Sequence, residues 1–222
     1  MLEQTLYYPG RTLVRIYTKI MLRMSIHGRR KLPRGPKIFV ANHPTTSDPF
    51  FLLATIRERT NILIKNTLFK VPVFGKYLKL SGYIPVVEGQ GHTALTKAKE
   101  FLDRGISVIV FIEGSTSPDK GGFHKPKTGA VRLALSTGAP ILPIGIGVHK
   151  KNIKFIHSEV RGKKELGRWY FRGPYALTFG KCHKLTGDIN NRNKVRLFSQ
   201  QIMQQIRLLA NQSSTRLALL QT

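Results

Sequence analysis

The sequence predicts an α/β fold: one domain with a central, mostly parallel or mixed sheet flanked by helices, behind an N-terminal amphipathic helical segment. Two patterns predict it. Short apolar runs bounded by turn residues, such as KIFVAN, ISVIVFI and PILPIGIGV, read as buried strands, and they alternate with stretches of helical period. The length of 222 residues, with 41% apolar content, 12 Phe and 7 Tyr, is enough for one sizeable core and argues against disorder.

The elements follow in order. Residues 11–26 read as a helix with Arg11, Arg15, Lys19 and Arg23 on one stripe and Leu13, Ile16, Tyr17, Ile20 and Met24 on the other side. Like charges at i, i+4 destabilise an isolated helix, so the segment needs either an anionic surface or a packed apolar face on its own domain. KIFVAN is a strand, FFLLATIRE a helix and NILIK a strand, followed by helical pieces broken at Pro72 and Gly75. YIPVV, a helix from about His92 to Asp103, and the strand ISVIVFI come next. The loop EGSTSPDKGGFHKPKTG leads into a helix AVRLALSTG and the strand PILPIGIGV. Residues 150–173 are basic and poorly periodic and read as a surface excursion. YALTFGKCHKL then gives a late strand, and NKVRLFSQQIMQQIRLLANQ an amphipathic C-terminal helix.

Charge narrows the partner. Against 37 Lys and Arg stand 11 Asp and Glu, a net charge of +26, which calls for a polyanion: nucleic acid or an anionic membrane surface. Arg15, Lys19 and Arg23 interrupt the N-terminal segment too often for a membrane span, and no small-residue cleavage pattern marks a secretory signal. A lone Cys182 excludes an intramolecular disulfide framework and a Cys-based zinc site. His92, His124, His149, His157 and His183 lack metal-ligand spacing, so no metal is expected. No phosphate-binding or dinucleotide fingerprint follows any strand.

The residues that suggest chemistry lie where strands end. His43 and Asp48 follow a buried strand in a loop holding Pro44 and Pro49. An imidazole held by a carboxylate can take a proton from a hydroxyl, although Asp48 would also serve as a cap for the helix opening at Pro49. Glu113 sits at the end of VIVFI, where Gly114 leaves room for a ligand near the backbone and Ser115, Thr116 and Ser117 supply hydroxyls. Lys125 and Lys127 precede the helix beginning near Gly129, a suitable place for an anion. Phe50, Phe51, Phe69 and Phe74 read as either an acyl channel or plain core. Gly145 and Gly147 mark close packing or ligand room in their strand.

Taken in order, NHPTTSDPF, LFKVPVFG, SGYIPV, FIEGSTS, KPKTGAVRLAL and PILPIGI resemble the lysophospholipid acyltransferase family, the 1-acylglycerol-3-phosphate and glycerol-3-phosphate acyltransferases, from about Ile38 to Val148. The resemblance implies His43 as catalytic base with Asp48 as its partner, attacking acyl-CoA or acyl carrier protein with an acceptor hydroxyl and using no other cofactor. It implies acceptor binding by Glu113 and Gly114, a phosphate contact at Lys65, and a last motif at Pro140 bordering the site. Two positions depart from the family pattern: Glu88 and Thr116 stand where Arg is usual. Lys65, Lys125 or Lys127 then compensates, or the acceptor is a non-phosphorylated lipid, alcohol or amine. The expected protein is a peripheral membrane enzyme on the cytoplasmic face, with residues 1–30 as a membrane-associating helix, residues 31–222 as the acyltransferase domain, a lysophospholipid acceptor and no nucleic-acid partner.

Overall fold

The computed structural model describes residues 6–29, 32–160 and 163–219. Residues 1–5 and 30 of the expected N-terminal segment, and 31, 161, 162 and 220–222 of the expected domain after it, lie outside this set. The chain runs through α1 (Tyr7–Met21), β1 (Leu22–His27), β2 (Ile38–Ala41), α2 (Asp48–Thr55), β3 (Thr60–Lys65), α3 (Phe74–Leu80), β4 (Ile84–Val86), α4 (Gly91–Asp103) and β5 (Ser107–Phe111). It continues with α5 (Gly129–Thr137), β6 (Ile141–Val148), β7 (Ile153–Val160), β8 (Lys163–Tyr170), β9 (Gly173–Phe179) and α6 (Arg192–Leu219).

Among the described residues, seven strands form one sheet in the order β1-β9-β6-β2-β5-β3-β4. β6, β2, β5, β3 and β4 are mutually parallel, while β9 pairs antiparallel to β6 and carries β1 parallel to itself. The predicted mixed sheet is therefore a parallel block with an oppositely directed pair at one edge. β2 lies in the parallel block, and all four of its residues are buried, as expected for a strand covered on both faces. Its side chains alternate: Phe39 and Ala41 join a core with α1, α2 and α3, whereas Ile38 and Val40 join one with α4, α5 and α6.

Gly145 and Gly147 mark close packing. A Cβ on Gly145 would stand 2.1 Å from the backbone of Leu209 and Ala210, and one on Gly147 2.8 Å from the backbone of Ser214, so α6 lies directly on β6. Small residues on α6 permit this approach, and Ser213 bonds across it to Gly145 O at 2.9 Å. Arg216 ties the end of α6 to Ser25 of β1 and to Leu177 and Thr178 of β9. Pro143 is tolerated inside β6 because the β9 ladder begins one residue later, at Ile144.

Three expectations are corrected. The helix predicted over 11–26 ends at Met21, and Leu22, Met24 and Ile26 turn inward at period two as a strand registered against Gly173, Tyr175 and Leu177. Gly75 does not break a helix: it lies inside α3, and a Cβ there would meet Phe69 O at 2.1 Å. The excursion over 150–173 contains an antiparallel hairpin, β7–β8, whose Ile153 and Tyr170 enter the core.

α1 also faces the opposite way from a basic helix packed by its apolar side. Tyr7, Arg11 and Thr18 are buried, and Arg11 donates to the carbonyls of Leu53 and Ile56. Leu13, Ile16 and Ile20 are 69%, 51% and 74% exposed, beside the exposed Arg15 and Lys19. No described helix is long and apolar enough to cross a membrane.

Gly145→Ala is expected to destabilise the protein by about 1–3 kcal/mol, because backbone rather than a flexible side chain must move to admit the methyl group. Urea unfolding of the variant beside the wild type measures it, and an unchanged midpoint would contradict the close packing of α6.

Candidate active site

The site is built at the carboxyl ends of β2 and β5, adjacent parallel strands that finish level at Ala41 and Phe111. Chain leaving such ends enters the crevice where open α/β sheets hold their ligands. Asn42 takes over from the β2 ladder with its side-chain amide. Its Nδ2 donates to Ile146 O at 3.0 Å, and its Oδ1 accepts from Ile146 N at 2.8 Å. The next residue, His43, is thereby fixed in position, and its ring stacks on Phe111 with centroids 4.0 Å apart.

The turn Pro44–Ser47 folds the chain back and opens α2. Asp48 is fully buried there, so its carboxylate must be compensated by hydrogen bonds. Oδ2 accepts from Thr45 N at 2.7 Å and lies 3.1 Å from His43 Nδ1. Oδ1 accepts from Thr45 Oγ1 at 2.6 Å and Tyr175 Oη at 2.9 Å. Burial, with the neighbouring Asp48 carboxylate, raises the Tyr175 phenol well above its ordinary range, so it stays a donor. With Nδ1 directed at Asp48, Nε2 is the ring nitrogen left to meet a substrate. The imidazole is 15% exposed.

Glu113 is nearly as buried as Asp48, at 1% exposure. Oε1 accepts from His43 N at 3.2 Å and Ser117 Oγ at 2.6 Å, and Oε2 accepts from His124 N at 2.8 Å. Ser117 N donates to His43 O at 2.7 Å. The two predicted site loops are therefore laced together, and both Glu113 oxygens are engaged in the lacing. Gly114 has φ +74°, and a Cβ there would stand 3.1 Å from Lys127 Cγ, so the Lys127 side chain crosses it. Lys127 N returns the loop to Ile112 O at 2.7 Å. Ser115, Lys125 and Lys127 are exposed and Thr116 half-buried.

Of the other predicted residues, Lys65 ends β3 at the same edge of the sheet, exposed and paired in register with Val86, two residues before Glu88. Pro140 is not brought to this edge. It precedes Ile141, which pairs with Ile38 at the start of β2, so it lies at the opposite end of the strands from His43. Phe51 and Phe69 are core, whereas Phe50 and Phe74 are half-buried and meet edge to face at 5.7 Å. Among the described residues no group of three or more His, Cys, Asp or Glu is placed to hold a metal ion.

Sequence reasoning missed three participants. Tyr175 sits on a strand whose apolar residues signal burial but not its bond to Asp48. Thr45, inside the motif, had a signal in its hydroxyl three residues before Asp48. β8 lies in the stretch that the sequence presents as a surface excursion, yet it braces the loop: Thr46 N donates to Arg168 O at 2.7 Å, Arg168 N to Thr46 Oγ1 at 3.0 Å, and Tyr170 N to Ser47 Oγ at 3.0 Å.

The acyltransferase family model matches residues 23–147. A 1-acyl-sn-glycerol-3-phosphate acyltransferase of Pseudomonas aeruginosa is 32% identical over 127 residues, covering 55% of this chain and 49% of its own. The Escherichia coli protein of the same name is 28% identical over 130 residues, covering 56% and 53%. The chain thus spans about half the length of these curated relatives. The crystal structure of the 1-acyl-sn-glycerophosphate acyltransferase PlsC from Thermotoga maritima superposes with a TM-score of 0.63 at 21% identity, over 90% of this chain and 79% of that one. A family match over more than half the chain, including both site loops, establishes that this protein belongs to the acyltransferase family.

Proposed function

We propose that the protein transfers a fatty acyl group from acyl-CoA or acyl carrier protein to the hydroxyl of a 1-acylglycerol-3-phosphate-like lysophospholipid, in phospholipid biosynthesis or remodelling. The observation that carries this reading is the His43–Asp48 pair, poised at the carboxyl edge of β2 with Asp48 saturated by protein donors. The acceptor hydroxyl gives its proton to His43 Nε2 as its oxygen attacks the thioester carbonyl. Asp48, held by Thr45 and Tyr175, stabilises the imidazolium. Collapse of the tetrahedral intermediate breaks the C–S bond, and the leaving thiolate takes the proton back. The names of the curated relatives support this acceptor class. The absence of Arg at Thr116 and Glu88 favours a second reading, a non-phosphorylated lipid, alcohol or amine acceptor for the same chemistry.

The enzyme works at an anionic bilayer surface, on the cytoplasmic side. Leu13, Ile16 and Ile20 form an outward apolar stripe on α1, flanked by Arg15 and Lys19, as in a helix lying in a membrane interface. Each such cation near an anionic surface contributes about 1 kcal/mol.

Three measurements test these statements. His43→Ala should lower acyl transfer from acyl-CoA to lysophosphatidate by about 10²–10⁴-fold without loss of folded structure; full turnover in the folded variant would refute the base. Tyr175→Phe should cost about 1–3 kcal/mol of stability, read by thermal unfolding, and reduce turnover, because a buried acceptor loses its donor. Replacing Leu13, Ile16 and Ile20 together by Ser should release the protein from phosphatidylglycerol vesicles in a sedimentation assay while leaving its melting temperature unchanged. Undiminished sedimentation would rule out α1 as the docking element.

A further inference from the structure

Arg168 is a buried cation that the proposed chemistry leaves unused. It lies on β8, 7% exposed, with its backbone bonded in both directions to Thr46 of the His43 loop. Nη1 donates to Ser117 O, one peptide from the N–H that holds His43 O, and pairs with Asp119 Oδ1 at 3.0 Å. Nε is buried and has no hydrogen-bond partner among the described residues. The guanidinium is thus incompletely satisfied by the protein, an expensive condition unless a ligand completes it. Its counter-ion is weakly held in place, since the Asp119 side chain is 59% exposed. Two lysines border the same loop: Lys127 crosses Gly114, and Lys150 Nζ would stand 2.9 Å from a Cβ on Gly121.

We propose that Arg168 binds the phosphomonoester of the acceptor in place of the arginine absent at Thr116, and that Asp119 is an internal anion which this phosphate displaces. This deepens the lysophospholipid reading above and rests on it for the identity of the ligand. A phosphomonoester carries more charge than the carboxylate and offers three oxygens. Release of Asp119 from Nη1 removes the competing negative charge, and the guanidinium presents Nε–H and Nη2–H together as a fork. The fork would sit beside the His43 loop, so the phosphate would anchor the acceptor with its hydroxyl near Nε2.

The test measures binding of 1-hexanoylglycerol 3-phosphate and 1-hexanoylglycerol to the full chain by calorimetry, below their micelle concentrations, alongside KM and kcat with both. Arg168→Lys keeps a charge but loses the fork. It should weaken the phosphorylated ligand by about tenfold or more, through KM rather than kcat, and leave the uncharged one unaffected. Asp119→Asn should tighten the phosphorylated ligand several-fold. Parallel loss for both ligands in Arg168→Lys would show a purely structural brace and overturn the proposal. So would a wild type that binds no phosphorylated ligand, or an unchanged affinity in Asp119→Asn, which decides the matter even if the Arg168 variant does not fold. Selective binding loss in a protein that transfers no acyl group would uphold the phosphate site and reject the acyltransferase activity.

Discussion

The buried carboxylate of Asp48 is the constraint on which the site depends. It has no access to solvent, so the protein must supply its hydrogen bonds, and they come from widely separated parts of the chain. Thr45 is three residues away, but Tyr175 is 127 residues further on, in the strand that reverses direction at the edge of the parallel block. β9 therefore has a role beyond completing the sheet: it delivers a phenol whose raised pKa keeps it a donor. The packing of α6 on Gly145 and Gly147 holds β6 in place, and β6 positions both β9 and the Asn42 clamp. An error in any of these layers would reach the His43 ring through Asp48.

Glu113 plays the corresponding part for the second loop. The family resemblance implies that it binds acceptor, and its position beside His43 agrees with a place at the site. Both of its oxygens, however, are occupied by groups of the two loops. In this arrangement the carboxylate ties the two loops together, and under the proposed reading an anionic acceptor would meet the cations around the loop. A negative group at the floor of the crevice also raises the cost of bringing a phosphate there without a compensating cation, which makes the position of Arg168 at Ser117 significant.

The legible part of the site was the part written locally. His43, Asp48, Glu113 and the start of α5 could be found because strand ends, loops and helix starts leave marks within a few residues. The Tyr175–Asp48 and Arg168–Ser117 contacts left none, since separations of 127 and 51 residues become neighbours only through sheet order. Pro140 shows a related blindness: the sequence places it before a strand, but which end of the sheet that represents follows from the parallel pairing with β2. Leu22, Met24 and Ile26 fit an apolar helix face and an alternating strand equally well. The choice fell to a partner strand, β9, that lies some 150 residues away.

The net charge of +26 also divides once the structure is known. Arg11 and Lys37 are buried and bonded to carbonyls or carboxylates as structural cations, and Arg168 is buried too, so none of the three has a direct part in attracting a bilayer. The exposed cations of α1 are different, because they flank apolar residues that gain nothing from facing water. Burying Leu13, Ile16 and Ile20 in an interface would remove that exposed area from water, and the neighbouring Arg15 and Lys19 would make the removal depend on anionic lipid. The side of α1 that carries Arg11 packs on α2, the helix that begins at Asp48. If α1 docks on a bilayer as proposed, a single helix separates the docked element from the buried carboxylate, an arrangement that would hold the site close to the surface supplying a lipid acceptor.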